Sequence, residues 1–189
     1  MRTALSGETF RLRRWRAGDA PALLDLAMES AAEIGPRMMW TDTVTDLPGA
    51  EHFIVERLHQ WDTGEGYAFV AEDRTSGRLL GGGAVGHINR LHRVANLGYF
   101  VRTSERGRGL AVALSRLLAE FAFGDLWIQR LEILVEPNNA ASLRVAEKLG
   151  AVREGVLRHR LLIHGAPRDA VMFSLLPQGP PANAPTAPR

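Results

Sequence analysis

Asn96-Leu97-Gly98-Tyr99-Phe100-Val101-Arg102 and, four residues on, Arg106-Gly107-Arg108-Gly109-Leu110-Ala111 are the stretches that decide the fold. The first reads as a strand. The second opens a helix predicted over 107–123, with Leu110, Leu114, Leu117, Leu118 and Phe121 on one face. A strand, a glycine turn and a helix N-terminus in that order can make an anion site. The first amides of a helix lack intrahelical acceptors, the positive end of its dipole favours phosphate, and glycine lets the ligand approach the backbone. Arg106 and Arg108 add charge. No Lys-Ser or Lys-Thr pair follows the second glycine, so this is not a P-loop. On these residues alone, a glycine-stopped loop with solvated arginines explains the pattern as well as a phosphate site does.

Working outward, apolar alternation predicts strands at 9–15, 67–72, 79–88, 131–135, 156–163 and 168–175. Asp19 with Pro21, and Asp46 with Pro48, mark two helix starts. Another helix, 139–149, ends at Gly150. Helices and strands are interspersed, with hairpin signals at 74–77 and Gly165, which predicts a mixed sheet carrying helices on its faces. Gly81-Gly82-Gly83-Ala84-Val85-Gly86 formally fits the dinucleotide fingerprint, but no sustained helical stripe follows it. It reads instead as a bulged strand approached closely by another backbone or a ligand.

Val135-Glu136-Pro137-Asn138-Asn139-Ala140-Ala141-Ser142 runs from a strand into a helix. Asn138 or Asn139 can cap that helix. Asn139, Ser142 and Ala146 share one of its faces, being three and then four residues apart. On spacing alone, Asn139 is a cap and Ser142 a polar residue of the first turn.

Composition bounds the rest. The chain has 189 residues, 46% hydrophobic and 23% charged, an ordinary globular mix. It contains no cysteine, which excludes thiol nucleophiles, thiolate metal sites and disulfides. The pI is about 9.6 although the net charge is only +2. Of the 23 basic residues only Lys148 is lysine, and there are two tyrosines, so little titrates between neutrality and about pH 10. The high pI is therefore weak support for a nucleic-acid partner. No apolar run suggests a signal peptide or a membrane span, and a cytoplasmic location is the default expectation. Residues 1–176 are expected to form one domain. Residues 177–189 hold five of the ten prolines and are expected to be a disordered tail.

Gly98-Tyr99-Phe100-Val101, the Arg106–Ala111 loop, the Val135–Ser142 segment and Glu147-Lys148-Leu149-Gly150 together resemble the GNAT superfamily of N-acetyltransferases. Glu154-Gly155-Val156-Leu157-Arg158 and Gly165-Ala166-Pro167-Arg168-Asp169 are similar to its RimJ/RimL-like branch, which acetylates ribosomal-protein N-termini. The resemblance, spanning about 9–176, implies an α+β fold: a mostly antiparallel mixed sheet of six or seven strands with helices on both faces. It implies acetyl-CoA as cosubstrate, with no metal. The amides of Arg106, Gly107, Arg108, Gly109, Leu110 and Ala111 would hold the pyrophosphate. Phe100 and Val101 would pair by backbone with the pantetheine arm, and Asn139 would contact that arm or order the helix start. The tyrosine that many members carry seven residues after this Asn is Ala146 here, whereas the RimL-like branch is similar to this chain in its serine, Ser142. Ser142 is thereby the candidate general acid. Ala151 also departs from the large apolar residue usual after Leu-Gly.

The resemblance implies direct attack of a free amine on the thioester in a ternary complex. An α-amine is the easier acceptor, since its pKa lies about two units below that of lysine. Glu132 is the first candidate base; His87, His159 or water are alternatives. Trp40 either lines the acceptor cleft or anchors packing. The expected partner is a peptide or protein N-terminus. A small amine (polyamine, amino acid or antibiotic) is the alternative, as is a non-catalytic acyl-CoA-binding module. An RNA-binding role lacks interleaved aromatics around Gly107, and neither nucleic-acid nor membrane binding is expected. Members of the family often pair, so a homodimer is a further expectation.

Overall fold

Period-two alternation builds a single eight-stranded sheet, described over residues 1–178 in a computed structural model. The strands are β1 (Ala4–Ser6), β2 (Phe10–Arg14), β3 (Tyr67–Asp73), β4 (Leu79–Asn89), β5 (Val94–Val101), β6 (Arg130–Val135), β7 (Val152–Ile163) and β8 (Ala166–Leu175). They lie in the order β1-β2-β3-β4-β5-β6-β8-β7. Every pairing is antiparallel except β5 with β6. Eight strands replace the six or seven expected, because Ala4–Ser6 pairs with β2 through only three residues and carries little pattern. The expected tail at 177–189 lies outside the described residues from 179 onward.

Alternate residues of each strand feed two cores. Ala68 and Val70 pack with α1 (Ala20–Ile34), α2 (Trp40–Thr43) and most of α3 (Leu47–Thr63). Tyr67, Phe69 and Ala71 pack on the other face, with α4 (Leu110–Gly124) and α5 (Ala140–Lys148). Leu114, Leu118 and Phe121 of α4 are fully buried, each worth roughly 1.5–3 kcal/mol of transfer free energy. The glycine run lies wholly within β4, which removes the dinucleotide fingerprint. Its purpose is close packing: a Cβ on Gly83 would lie 2.6 Å from Leu118 Cδ1 and 2.7 Å from the Gly98 carbonyl.

The feature that positions the site is a parting of strands. β5 and β6 pair only from Val94–Arg130 to Asn96–Glu132, then separate. β5 stays bound to β4 up to Val101–Gly81, and β6 to β8 up to Val135–Val171, so a wedge opens between them. Arg102 donates its amide to the Leu80 carbonyl, 2.8 Å away. By alternation Phe100 also turns its backbone to β4, leaving the backbone groups of Tyr99 and Val101 directed into the wedge.

Candidate active site

Helix α4 starts at Leu110, three residues later than its periodicity suggests. Gly107 and Gly109 hold φ near +77° and +80°, the left-handed region that keeps the chain out of the helix. Gly109 is the N-cap and has no side chain to accept from the first turn, so those amides are left for a ligand. The approach to this loop is fixed by α1. Buried Arg102 pairs with Asp25 and, at 3.2 Å, with Glu29. The amides of Thr103 and Ser104 donate to Ser30 Oγ and Glu29 Oε1, both at 3.1 Å. The Ser104 hydroxyl and amide, with Arg102 and Arg78 beyond them, hold the Glu29 carboxyl below its ordinary pKa. Arg106 pairs with Glu33, and Arg108 with Glu105 at 3.1 Å.

A cavity of about 810 Å³ opens in front of the loop, a size suited to a long ligand. Arg106, Gly107, Gly109, Leu110 and Ala111 line it, together with Phe100, Val101, Asn139 and Ser142. Arg108 is not part of that lining. Arg144 and Lys148 of α5 line it too. These two cations were not picked out from sequence, since charged residues in an amphipathic helix normally read as its solvated face.

At the wedge a second cavity of about 120 Å³ shares Tyr99, Asn139 and Ser142 with the first. Asn139 Oδ1 accepts from the Ser142 amide at 3.1 Å, so its side chain orders the helix start. Tyr99 donates its hydroxyl to the Ser142 carbonyl at 3.3 Å, tying β5 to the first turn of α5. Burial pushes the Tyr99 phenol up, against a lowering by its bond to Ser142, and keeps it a neutral donor. Sequence reading had placed Tyr99 in a motif without a role. Ala146 is completely buried beneath this turn.

Glu132 is not beside Ser142. Its neighbours Leu131 and Ile133 are buried against α4, so by alternation Glu132 emerges on the opposite face. There it pairs with Arg130 at 3.0 Å and lines a third cavity of about 480 Å³ with His87 and Arg160. Arg130 also grips Glu154 in a two-bond fork and pulls that carboxyl down to about 2. His159 lies in a bulge of β7, its amide donating to Asp169 at 2.9 Å. Trp40 packs at a tilt against Phe100 and Phe53, with ring centroids 5.0 and 5.4 Å away.

The β7–β8 turn reaches back to the α1–α2 segment through His164. Its Nδ1 meets Asp42 at 2.8 Å and its Nε2 the Gly35 carbonyl at 2.9 Å. Both partners are acceptors, so the imidazolium satisfies both. The Gly35 carbonyl and then Asp42 raise the His164 pKa. This link is therefore complete below the ordinary imidazole pKa and is lost as pH rises through the raised one. We expect NMR titration to show His164 above its ordinary value and Asp42→Asn to bring it only part of the way back, because the Gly35 carbonyl remains. An unshifted His164 would contradict the contact.

A family model described as "Acetyltransferase (GNAT) domain" matches residues 9–152. The chain belongs to the GNAT acetyltransferase family. It is 29% identical to YjcK of Bacillus subtilis (strain 168), named a probable N-acetyltransferase, over 174 residues, 91% of this chain and 96% of that one. Mycobacterium smegmatis RimJ in complex with CoA-disulfide superposes with a TM-score of 0.80 at 25% identity, covering 88% and 81% of the two chains. Spermidine N(1)-acetyltransferase of Escherichia coli (strain K12) is 31% identical over 88 residues, 47% of each chain. As a GNAT enzyme this chain is an acetyl-CoA-dependent N-acetyltransferase. Its free helix amides and the cations on both walls of the large cavity suit a phosphorylated cosubstrate. No helix among the described residues is long and apolar enough to cross a membrane.

Proposed function

We propose that this GNAT acetyltransferase transfers acetyl to the α-amine of a peptide or protein N-terminus. The observation that carries this reading is the state of the carboxylates on the Glu132 face. A polyamine site needs several uncommitted carboxylates, whereas Arg130 holds Glu154 in a two-bond fork and takes one oxygen of Glu132, leaving only Glu132 Oε2 to accept a proton. The RimJ relative supports the same reading, and an α-amine is neutral more often at pH 7 than a primary alkylamine.

In this reading the Arg106–Ala111 loop holds the pyrophosphate through its amides, with Arg144 and Lys148 opposite. Val101 pairs by backbone with the pantetheine arm, and Phe100 contributes its contact surface. The thioester reaches the wedge from the α5 side, and the amine enters from the Glu132 face. Glu132, directly or through water, accepts a proton from the amine. The nitrogen forms its bond to the carbonyl carbon, and a wedge amide stabilises the oxyanion. As the carbon–sulfur bond breaks, the Ser142 hydroxyl gives its proton to the thiolate and is reprotonated by solvent. Tyr99 and Asn139 hold Ser142 in place by its carbonyl and amide.

Steady-state release of CoA thiol with a panel of N-terminal peptides, spermidine and amino acids tests the acceptor class. Peptides are expected to give the highest kcat/KM. Spermidine as the best acceptor would overturn the reading, and no release with any acceptor would leave a binding module. Ser142→Ala is expected to lower kcat by about 10²-fold, the scale of general acid catalysis, with a small change in acetyl-CoA affinity. An unchanged kcat with chemistry rate-limiting would remove Ser142 from the mechanism.

A further inference from the structure

The third cavity is built from backbone distortions. β4 is bulged between Gly86 and Asn89, and β7 between Leu157 and Leu161. Five non-glycine residues among those described have positive φ, and three of them, His87, Arg93 and His159, lie in or beside these two bulged segments. Bulges re-aim side chains and concentrate next to active sites, and strained non-glycine backbone persists where the surroundings impose it. Three strands, β5, β6 and β8, separate β4 from β7 in the sheet, yet both bulged strands reach one pocket over β5 and β6. They bring His87 and His92 from one side and Arg160 from the other to a single pocket of about 480 Å³.

The pocket adjoins the transfer site. It shares Leu134 and Leu161 with the small cavity of the wedge, which in turn contains Ser142. An amine poised in the wedge therefore has its next residues carried over Leu134 and Leu161 into the pocket, since each extended residue spans about 3.4 Å.

Its lining carries one acid, Glu132, and one arginine, Arg160. Arg130 takes one oxygen of Glu132 and both of Glu154, and Asp169 accepts from the His159 amide. Arg160 forms no ion pair among the described residues. Arg168, opposite Leu161 in the ladder but outside the pocket lining, forms none either. Both side chains are exposed, so a ligand carboxylate can reach them.

We propose that this bulge-framed pocket is a subsite for an acidic side chain of the acceptor, at its second or third residue, with Arg160 as the principal contact. The inference rests on the peptide reading of the acceptor and adds a sequence preference to it. A guanidinium recognises a carboxylate through two parallel hydrogen bonds, a geometry that a neutral amide reproduces poorly.

The test compares peptides that differ only in Asp against Asn, and Glu against Gln, at positions two and three. The wild-type enzyme is expected to favour the acid by roughly fivefold in kcat/KM, mostly through KM, the scale of one exposed ion pair. The advantage is expected to shrink at high salt. Arg160→Gln is expected to abolish it, and Arg160→Glu to favour Lys over Asp at the same position, with melting temperature confirming the fold of each variant. Should a variant not fold, the wild-type comparison and its salt dependence decide alone. Peptides acetylated without any acid preference overturn the subsite and leave the peptide reading standing. A preference that survives Arg160→Gln removes Arg160 and overturns the assignment. No acetylation of any peptide, with activity on small amines, overturns both.

Discussion

Gly109→Val is expected to weaken acetyl-CoA binding by at least about tenfold while leaving the protein folded. Gly109 sits at φ +80° and ψ −2°, a conformation that costs a non-glycine residue roughly 1–2 kcal/mol and a β-branched one more. Valine relieves that strain by moving toward negative φ, which rotates the amides of the first turn of α4 away from the cavity. Those amides are the part of the loop that carries the pyrophosphate in this account, because Arg106 and Arg108 already pair with Glu33 and Glu105. Each tenfold in Kd is about 1.4 kcal/mol, so losing two or three oriented donors suffices. A Cβ at Gly109 meets no atom within 4 Å, so steric unfolding is not expected. Gly109→Asn is expected to be milder, since Asn tolerates the left-handed region. Titration calorimetry with acetyl-CoA measures the series. An affinity unchanged in Gly109→Val would show that the helix amides do not hold the ligand.

Gly83→Val carries the largest effect expected on stability. Its Cβ would lie 2.6 Å from Leu118 Cδ1 and 2.7 Å from the Gly98 carbonyl, and only the first of these is a flexible side-chain end. The carbonyl belongs to β5, so relief requires β4 to move from β5 or α4 to lift from the sheet. Leu118 and Leu114 are fully buried there, which turns any lift into lost packing. Overpacking of this kind costs roughly 1–3 kcal/mol, or about 3–10 °C in Tm for a chain of this size. Gly83→Ala meets the same contacts at Cβ and is expected to lie between the two. Calorimetric melting of both variants checks this. A valine variant as stable as the parent would contradict the packing of α4 on β4.

The same two regions show what the sequence could convey. The leucine stripe of α4, the strand before it and the glycine punctuation between them are local patterns, and local physics produced them. The apolar alternation of β8 is of the same kind. β7 was expected from 156 but begins at Val152, because Val152, Arg153 and Glu154 are all exposed and no buried face enforces alternation across them. The parting of β5 from β6 is a matter of register between residues 36 apart in sequence and leaves no local mark. Arg102 is the largest fully buried side chain among the described residues, yet it reads as one more arginine among many. Its partners Asp25 and Glu29 are on a helix far away in sequence. Ser142 and Glu132 were both named from sequence, and their separation onto opposite faces followed only from knowing which neighbours of Glu132 are buried. In the mechanism we propose, that separation gives the two groups different jobs, one beside the thioester and one on the side from which the amine arrives.

The central claim is transfer of acetyl to an α-amine in the wedge. Its most direct test is a peptide that carries both a free N-terminus and an internal lysine, incubated with the enzyme and acetyl-CoA. Fragmentation mass spectrometry then locates the acetyl group. The account predicts acetyl on the α-nitrogen, with CoA released in equal amount and the lysine unmodified. Acetyl on the ε-nitrogen, or an unmodified peptide from enzyme that acetylates spermidine, would contradict it.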